Sequence, residues 1–256
     1  MERITSRTNP LMTHLRKLSS SAAYRREQGE FLCDGPKLLQ EALQWGAELV
    51  TVVATAGTEL PVLPAGVRAV EVPEDVMASI SPMKTPQGVL FTCRLPETEL
   101  PPVLQGRCYA VLDGVQDPGN VGTIIRTADC AGIEGVLLSE QCADIFSPKV
   151  LRATMGSIFR MPMLVTGDLP GVLSGLVQDG YHVLSSQLDG EPFYQYSGQN
   201  GRYCLVIGSE GNGVSEPVRA LATHRVKLPM RGGAESLNAA VAAGIMMYHL
   251  TREDDL

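Results

Sequence analysis

Residues 229–238 read PMRGGAESLN and run directly into AAVAAGIMMYHL at residues 239–250. Gly232 and Gly233 predict a loop, and Ser236 or Asn238 is suited to cap the helix that follows. That helix carries Ala, Val, Gly, Ile and Met on nearly every face, which predicts burial in the core or at a subunit interface. A glycine-rich polar run is unusual before a plain core helix, so its polar end indicates a role besides capping.

Upstream of this stretch, strand patterns alternate with helix patterns from residue 107 onwards. The strand patterns are CYAVLDGV, GVLLSE, PMLVT, HVLSSQ, YCLVIGSE and HRVKLPM, and the helix patterns are VGTIIRTADCAG, KVLRATMGSIF, LPGVLSGLVQDG, EPVRALAT and the last helix. Apolar strands separated by helices predict an α/β fold with a mostly parallel sheet covered on both faces. Ligands of such sheets bind in loops at the carboxyl ends of the strands.

The stretch RLPETELPPVLQGRC, residues 94–108, combines prolines with few large apolar residues and separates two patterned regions. We interpret residues 97–106 as a linker between a domain of residues 1–96 and a domain of residues 107–256.

The first domain has an α/β pattern of its own. Leu11, His14, Leu15 and Leu18 lie at helical spacing, and a strand pattern EFLCDG precedes a helix pattern PKLLQEALQWG. The β-branched runs LVTVVAT and VRAVEVP follow.

The composition, 44% hydrophobic and 19% charged residues in 256, is typical of a globular protein rather than a disordered or membrane-embedded one. The most apolar run is too short to span a bilayer, and the first residues lack a signal-peptide core, so we expect a cytoplasmic protein. Six cysteines occur without a C-x-x-C pair. We therefore expect reduced thiols, no disulfide framework and no metal.

Charge is distributed unevenly along the chain. The whole chain has a net charge of −7, yet residues 1–26 carry six basic residues against one acidic residue, a local net charge of +5. This basic N-terminal arm is either a nucleic-acid contact or a solvated helix face. Its basic residues are Arg3, Arg7, Arg16, Lys17, Arg25 and Arg26.

The loop after the first strand of the second domain is the first of three unusual loops. It lies in LDGVQDPGNVGTIIRTADCAG, residues 112–132, where Asn120 is predicted to cap a helix. Arg126 follows two apolar residues and is either a surface residue or a bidentate ligand for a phosphate or carboxylate. The dinucleotide fingerprint G-x-G-x-x-G does not occur here.

The second unusual loop lies in LVIGSEGNGVS, residues 205–215, after a buried strand pattern. Ser215 is predicted to cap the next helix. Glu210 is less easily explained by folding, and it is suited to bind a cationic group or to orient an arginine such as Arg126. The third loop is PMRGGAESLN, where Ser236 and Asn238 either cap the helix alone or also serve a site.

Together the three loops resemble the three motifs of the SpoU family of RNA 2′-O-ribose methyltransferases, TrmH-like members of the SPOUT superfamily. The matching segments are NVGTIIRTADCAG, GSEGNGVS and PMRGGAESLNAAVAAGIMMY, and they cover most of residues 107–250. Upstream, FLCDGPKLLQEAL and MKTPQGVLF resemble the small L30e-like substrate-binding domain that precedes such catalytic domains.

The resemblance implies a C-terminal deep trefoil knot, an exception to the rule against knotted chains. It also implies S-adenosylmethionine as cofactor, RNA as substrate and a homodimer. With RNA as substrate, we expect the six basic residues of the N-terminal arm, Arg25 among them, to bind it. The catalytic residues that it implies are Arg126, Asn120, Glu210, Ser236 and Asn238. The cofactor-binding residues that it implies are Gly208, Leu228, Leu237, Ser186, Gln187, Leu188, Ile207 and Asn238.

The expected function is S-adenosylmethionine-dependent 2′-O-methylation of RNA, with ribosomal RNA favoured over tRNA by analogy with other two-domain members. In the family's proposal the arginine is a general base, but a guanidinium stays protonated in proteins. We therefore expect Arg126 to hold the adjacent phosphate and stabilise the developing alkoxide, with Asn120 and Glu210 orienting it. The alternatives are a non-catalytic RNA-binding or ribosome-assembly protein of the same fold and, with less support, a nucleotide-dependent oxidoreductase.

Overall fold

The computed structural model describes residues 1–96, 106–195 and 201–252. The chain forms two compact units. Unit 1 comprises Met1–Glu97 and Asp144–Arg160, and unit 2 comprises Thr98–Ala143 and Met161–Leu256. Apart from Gly106, the predicted linker lies outside the described residues. The domain limits 1–96 and 107–256 stay a prediction, and they did not anticipate that Asp144–Arg160 packs within unit 1.

The described strands and helices are labelled in chain order. The strands are β1 (Glu2–Arg3), β2 (Glu30–Asp34), β3 (Leu49–Thr55), β4 (Arg68–Val72), β5 (Val89–Arg94), β6 (Cys108–Asp113), β7 (Gly135–Ser139), β8 (Met163–Thr166), β9 (Tyr181–Pro192), β10 (Arg202–Gly208) and β11 (His224–Lys227). The helices are α1 (Pro10–Ser20), α2 (Ala22–Gln28), α3 (Pro36–Gln44), α4 (Glu74–Ile80), α5 (Pro118–Cys130), α6 (Pro148–Thr154), α7 (Leu169–Gln178), α8 (Glu216–Arg219) and α9 (Ala239–Thr251).

Unit 1 is built on a mixed sheet of order β1-β4-β3-β5-β2. β5 runs antiparallel to β3 and to β2, while β4 runs parallel to both β1 and β3. Helix α1 begins at Pro10, where the Asn9 side chain accepts a hydrogen bond from the Leu11 N–H at 2.9 Å. Its apolar side then packs Leu15 and Leu18, both fully buried, into the core of the unit.

The basic N-terminal segment is therefore part of the fold and not an arm, because α1 supplies core residues. Arg25 in particular is 4% exposed and forms an ion pair with Asp144, and its guanidinium also donates to the Leu18 carbonyl. A buried, paired guanidinium is not available to RNA. The prediction that Arg25 binds RNA is wrong, and its role is structural.

Unit 2 has a six-stranded sheet of order β11-β9-β10-β6-β7-β8 in which every strand pair is parallel. All residues of β6 and β7 are buried, as continuous apolar runs require when a sheet is covered on both faces. The predicted α/β fold class is confirmed. The carboxyl ends of β6, β10 and β11 lead into the three loops selected from the sequence.

Strand β9 departs from regular pairing in a way that shapes the same edge. Ser185 pairs with Arg225, and the next pair on β11 joins Glu191 with Val226, so residues 186–190 loop out of the ladder. A Cβ on Gly190 would lie 2.6 Å from the Val226 nitrogen, so only glycine permits the strands to close again there.

Helix α9 is buried on one side only. Met246 and Met247 are fully buried, whereas Val241 is 51%, Ile245 36% and Tyr248 53% exposed. These three residues lie at i, i+4 and i+7 and form one apolar stripe. The core of the single chain therefore covers one side of α9, and the expectation that the other side is buried at a subunit interface stays a prediction.

No helix in the described ranges is long and apolar enough to cross a membrane. The same ranges contain no group of three or more His, Cys, Asp or Glu residues placed to hold a metal ion. All six cysteines are free, and four of them are buried.

Candidate active site

A cleft of about 690 Å³ opens at the carboxyl edge of the unit 2 sheet, beside the looped-out part of β9 and the loops that follow β10 and β11. Seven of the eight residues predicted to bind the cofactor line this cleft, namely Ser186, Gln187, Ile207, Gly208, Leu228, Leu237 and Asn238. The side chain of the eighth, Leu188, lies outside the described part of the structure.

The second loop forms a tight turn that closes directly over the end of β10. Ser209 and Gly213 exchange two backbone hydrogen bonds of 2.9 Å, and the Asn212 N–H donates to the Ser209 hydroxyl at 3.0 Å. A Cβ on Gly208 would lie 2.2 Å from the Val214 nitrogen, so glycine is required at this position. The turn presents Glu210 at its tip, beside the cleft.

The turn is fixed to the first motif by Asp113, a residue that the sequence analysis missed. Asp113 ends β6, is 7% exposed, and accepts a hydrogen bond of 2.7 Å from the Ser215 N–H. Ser215 occupies the position before α8, but its side chain makes no capping bond, so the predicted capping role is wrong. An acidic residue at the end of a buried strand was the available signal for Asp113.

Asn120 is not the cap of α5. Asp117 caps this helix and accepts the Asn120 N–H at 2.9 Å. The freed Asn120 side chain donates through Nδ2 to Glu210 Oε1 at 2.8 Å and accepts through Oδ1 from Asn238 Nδ2 at 2.9 Å. Asn238, Asn120 and Glu210 thus form a polar relay that joins the three motifs.

The relay has a defined direction. Asn238 Oδ1 caps α9 by accepting the N–H groups of Ala240 at 2.9 Å and Val241 at 3.3 Å. Because backbone N–H groups can only donate, the Asn238 amide must turn Nδ2 toward Asn120. Asn120 must then turn its own Nδ2 toward Glu210, whose ionised carboxylate only accepts.

Glu210 is held in its ionised form. Burial by itself would raise the pKa of Glu210, but hydrogen bonds from the Asn120 amide and from the backbone N–H groups of Glu210, Gln116 and Asp117 outweigh this effect. The pKa therefore lies below its ordinary value of 4.5. An ionised Glu210 at neutral pH is the acceptor that the relay requires.

Arg126 lies on α5 with an exposed side chain, and it does not line the cleft. Glu210 bonds Asn120 and the Gln116 N–H, at 2.8 and 3.4 Å. The expectation that Asn120 and Glu210 orient Arg126 is therefore wrong, because both are engaged with each other. Within the described ranges Arg126 has no hydrogen bond or ion pair, so its guanidinium is available to an anion.

Ser236, for which a catalytic role is predicted, lines the cleft in a loop whose residues 229–238 are all exposed. Four charged residues of the lining were not predicted from the sequence. They are Asp189, Arg219, Lys227 and Glu235. Each is a common surface residue with no motif around it, so no signal in the sequence distinguished them.

The cleft fits S-adenosylmethionine by size and by chemistry. Its volume lies within the range of small-molecule sites, roughly 300–1,000 Å³. Ile207, Leu228, Leu237 and Met246 provide apolar walls. Polar side chains and charges of both signs surround these walls, which suits a ligand with hydroxyl, ammonium and carboxylate groups.

A parallel sheet with this cleft and relay at its carboxyl edge is the arrangement of an α/β protein that binds a small-molecule ligand at the ends of its strands. Residues 107–248 match the profile of the SpoU rRNA Methylase family, and residues 9–90 match an MRM3-like substrate binding domain. The chain belongs to the SpoU rRNA methylase family. The trefoil knot that the resemblance implies is consistent with this family.

Three relatives illustrate the likeness over the whole chain. The chain is 35% identical over 251 residues to the 23S rRNA (guanosine(2553)-2′-O)-methyltransferase RlmP of Bacillus subtilis (strain 168), covering 98% of this chain and 99% of the relative. It is 31% identical to the AdoMet-bound rRNA methyltransferase from Sinorhizobium meliloti, with TM-score 0.86 and coverage of 98% and 97%. The SpoU methyltransferase AviRb from Streptomyces viridochromogenes, in complex with AdoMet, is 26% identical with TM-score 0.83 and coverage of 96% and 98%.

Proposed function

We propose that this SpoU-family RNA methyltransferase transfers the methyl group of S-adenosylmethionine to a ribose 2′-hydroxyl of ribosomal RNA. The observation that carries the proposal is the relay of Asn238, Asn120 and Glu210 beside the cleft, because it brings the polar residues of three separate motifs together. The RlmP relative, which matches over nearly its whole length, supports ribosomal RNA as the substrate class.

In this mechanism the cleft residues Ile207, Leu228 and Leu237 would hold the cofactor, which would supply an electrophilic methyl group on its sulfonium sulfur. The protein would align the ribose oxygen with that methyl, and transfer would form one oxygen–carbon bond for the carbon–sulfur bond broken, with the neutral thioether as leaving group. The hydroxyl proton would pass to solvent water, because the protonated Arg126 guanidinium cannot accept it. The relay keeps the motif loops in one arrangement, so the reaction geometry does not have to be reorganised at each turnover.

Arg126 has the role of an anion clamp. Its guanidinium stays protonated, so it cannot accept the hydroxyl proton. It is suited to hold the phosphate next to the target ribose in a bidentate grip and to stabilise the developing alkoxide. Its exposed position and its lack of a partner in the described ranges support this role.

The test of the proposal is Arg126→Ala, with Arg202→Ala as a matched control. Arg202 is an exposed arginine at the start of β10, at the opposite edge of the sheet from the cleft. Methyl transfer from labelled S-adenosylmethionine is measured on ribosomal RNA and on tRNA from cells that lack the gene, and calorimetry measures cofactor binding. We expect Arg126→Ala to lose at least a hundredfold in transfer with cofactor affinity unchanged, and Arg202→Ala to behave as the parent.

The outcomes separate the alternatives. Full activity of Arg126→Ala would reject the clamp. Transfer to tRNA in place of ribosomal RNA would correct the substrate class. No transfer to either RNA by the parent, despite cofactor binding, would favour the non-catalytic alternative.

The exposed stripe of Val241, Ile245 and Tyr248 supports a homodimer. A single chain leaves these large side chains in water beside the buried half of α9, and such patches mark interaction sites. A two-fold related copy would cover the stripe with the same residues, as isologous interfaces do. The cytoplasm is the location that we propose for an enzyme acting on ribosomal RNA.

Part of the basic surface of unit 1 is proposed to contact RNA. Arg25 is excluded, and Arg7 is paired with Asp75 at 2.8 Å. Lys17 and Arg26 are exposed, and Lys17 lies 5.3 Å from the centroid of the Tyr24 ring. The predicted residues that keep this role are Arg3, Arg7, Arg16, Lys17 and Arg26. Deleting residues 1–26 would remove core residues of α1, so charge reversal at Lys17 and Arg26 is the appropriate test.

A further inference from the structure

Trp45 is the only tryptophan of the chain, and it is 48% exposed. It follows the last residue of α3, and Gly46 turns the chain away beside it with a φ of +70°. A large aromatic side chain that is left half in water at a helix end contributes little to the core of unit 1. Exposed tryptophans are more often found where a partner covers them.

Trp45 borders a second cleft, of about 240 Å³, which lies wholly within unit 1. Phe31, Phe159 and Ile158 line its apolar wall. Phe31 and Ile158 are buried and Phe159 is partly exposed, so the wall is a firm surface beside the exposed indole. This volume lies below the roughly 300–1,000 Å³ of sites for drug-sized ligands, so it suits a small group such as one flat heterocycle.

The indole is held in place from one side. The Arg160 guanidinium lies 5.4 Å from the centroid of the Trp45 ring. Arg160 is itself fixed by the Glu41 carboxylate at 2.8 Å and by the Ser157 hydroxyl at 3.4 Å. A cation over an aromatic ring orders that ring and stabilises its position. Trp45 is therefore a preorganised platform and not a mobile surface side chain.

The charges around the cleft favour a base over a phosphate. Arg94 donates to Glu30 at 3.0 Å and lies 3.9 Å from the Glu48 carboxylate, and Arg160 is paired with Glu41. The cations of this region are thus balanced by carboxylates. An anionic group gains little here, whereas a neutral flat ring gains stacking on an aromatic surface.

We infer that the Trp45 cleft holds an unpaired base of the RNA substrate, stacked on the indole. Residues 9–90, which include Trp45, match a substrate binding domain. Proteins recognise RNA mainly by stacking splayed bases on aromatic side chains and on arginine planes. The inference rests on the proposed function for the identity of the ligand as RNA, and it adds a binding site separate from the cofactor cleft.

The experiment uses the intrinsic fluorescence of the full-length protein, excited at the long-wavelength edge of indole absorption. The seven tyrosines then do not contribute, and the signal reports Trp45, the single tryptophan. The protein is titrated with single-stranded RNA pentanucleotides and with an abasic pentamer of the same charge. We expect saturable quenching by the base-bearing oligomers and at least fivefold weaker quenching by the abasic one. Equal quenching by both would overturn the inference, because backbone contact alone would then explain it.

Variants test whether the same contact serves the reaction. For Trp45→Ala we expect an affinity for substrate RNA about tenfold lower, the order of one lost stacking contact. KM for RNA should rise with it, while kcat and cofactor affinity stay unchanged. Trp45→Phe should retain most of the affinity. Tyr194→Ala, which truncates an aromatic side chain of unit 2 that is 54% exposed, is the matched control and should bind RNA as the parent does.

The two proposals fail in different ways. If the parent methylates RNA but Trp45→Ala binds and methylates with an unchanged KM, the base site is rejected and the function stands. If base-dependent quenching occurs but the parent methylates no RNA, the proposed activity fails and the base site stands. An unchanged thermal unfolding midpoint in Trp45→Ala would confirm that the lost affinity does not reflect a damaged fold.

Discussion

Asn238 performs two tasks with two different atoms, and Asn238→Asp separates them. Oδ1 caps α9 by accepting the Ala240 and Val241 N–H groups, and Nδ2 donates to Asn120. An aspartate caps a helix as well as an asparagine does, but it has no N–H to donate. Asn120 would then turn its own Nδ2 to the new carboxylate and present Oδ1 to Glu210, which breaks the relay.

Asn238→Ala removes both hydrogen-bonding roles, so it measures how much the cap contributes to the free energy of unfolding. Losing an asparagine cap costs about 1 kcal/mol. The exposed hydrogen bond to Asn120 adds about 0.5 kcal/mol, the low end for such bonds. A total of about 1.5 kcal/mol lowers the unfolding midpoint by roughly 3–6 °C in a chain of this size. Asn238→Asp should change stability by less than about 0.5 kcal/mol, since the cap is kept.

The assay combines thermal unfolding, followed by circular dichroism, with methyl transfer from labelled S-adenosylmethionine to RNA. We expect both variants to lose about tenfold or more in kcat/KM, equivalent to about 1.4 kcal/mol of transition-state stabilisation. Only Asn238→Ala should lose stability. If Asn238→Asp stays within twofold of the parent in kcat/KM, the relay has no part in the reaction. An unchanged unfolding midpoint in Asn238→Ala would refute the capping argument.

Three further predictions concern the carboxylate, the turn and the exposed stripe. The pKa of Glu210 is lowered in the folded protein, so its contribution to stability is complete above the ordinary value of 4.5 and is lost as the pH falls through the folded value. Urea unfolding measures the difference in free energy of unfolding between the parent and Glu210→Gln. This difference should therefore be constant from pH 7 to about 5 and shrink below 4.5. A constant difference down to about pH 3 would contradict the relay geometry. Gly208→Ala should abolish cofactor binding in calorimetry, because its Cβ would lie 2.2 Å from the Val214 nitrogen, and retained binding would show that the turn can move. Ile245→Asp should sediment as a monomer and still unfold cooperatively, which would show that the substitution breaks the interface and not the fold. An unchanged dimer would place the interface elsewhere.

The fold of unit 2 was largely predictable because its strands carry continuous apolar runs. Burial extends along nearly the whole length of β6, β7 and β10. Each of these strands lies next to a helix pattern, and a glycine or proline marks the boundary between strand and helix. Such segments leave few structural alternatives. The looped-out residues 186–190 were not predictable, because the register shift depends on how β9 meets β11 in three dimensions.

Unit 1 shows where charge patterns mislead. Six basic residues in 26 indicated an arm, yet the apolar residues Leu11, Leu15 and Leu18 between them form the buried side of α1. Arg25 illustrates the point, since its partner Asp144 is 119 positions away in the sequence. No local pattern reports a pairing at that distance. Asp144–Arg160 likewise packs within unit 1 through contacts between residues far apart in the sequence. One of them joins the rings of Phe146 and Phe31, whose centroids are 4.9 Å apart.

The site residues were found by their motifs, but their chemistry depends on which groups fold together. From sequence, Asn120 was assigned the cap of α5 and Glu210 a role in orienting Arg126, because each role is locally reasonable. The structure gives the cap to Asp117, three residues earlier, and this releases the Asn120 amide to connect Asn238 with Glu210. The same rearrangement leaves Arg126 without an internal partner in the described ranges. A guanidinium with an internal carboxylate partner would have to give up that bond to grip a phosphate, so leaving Arg126 unpaired favours binding of an external anion.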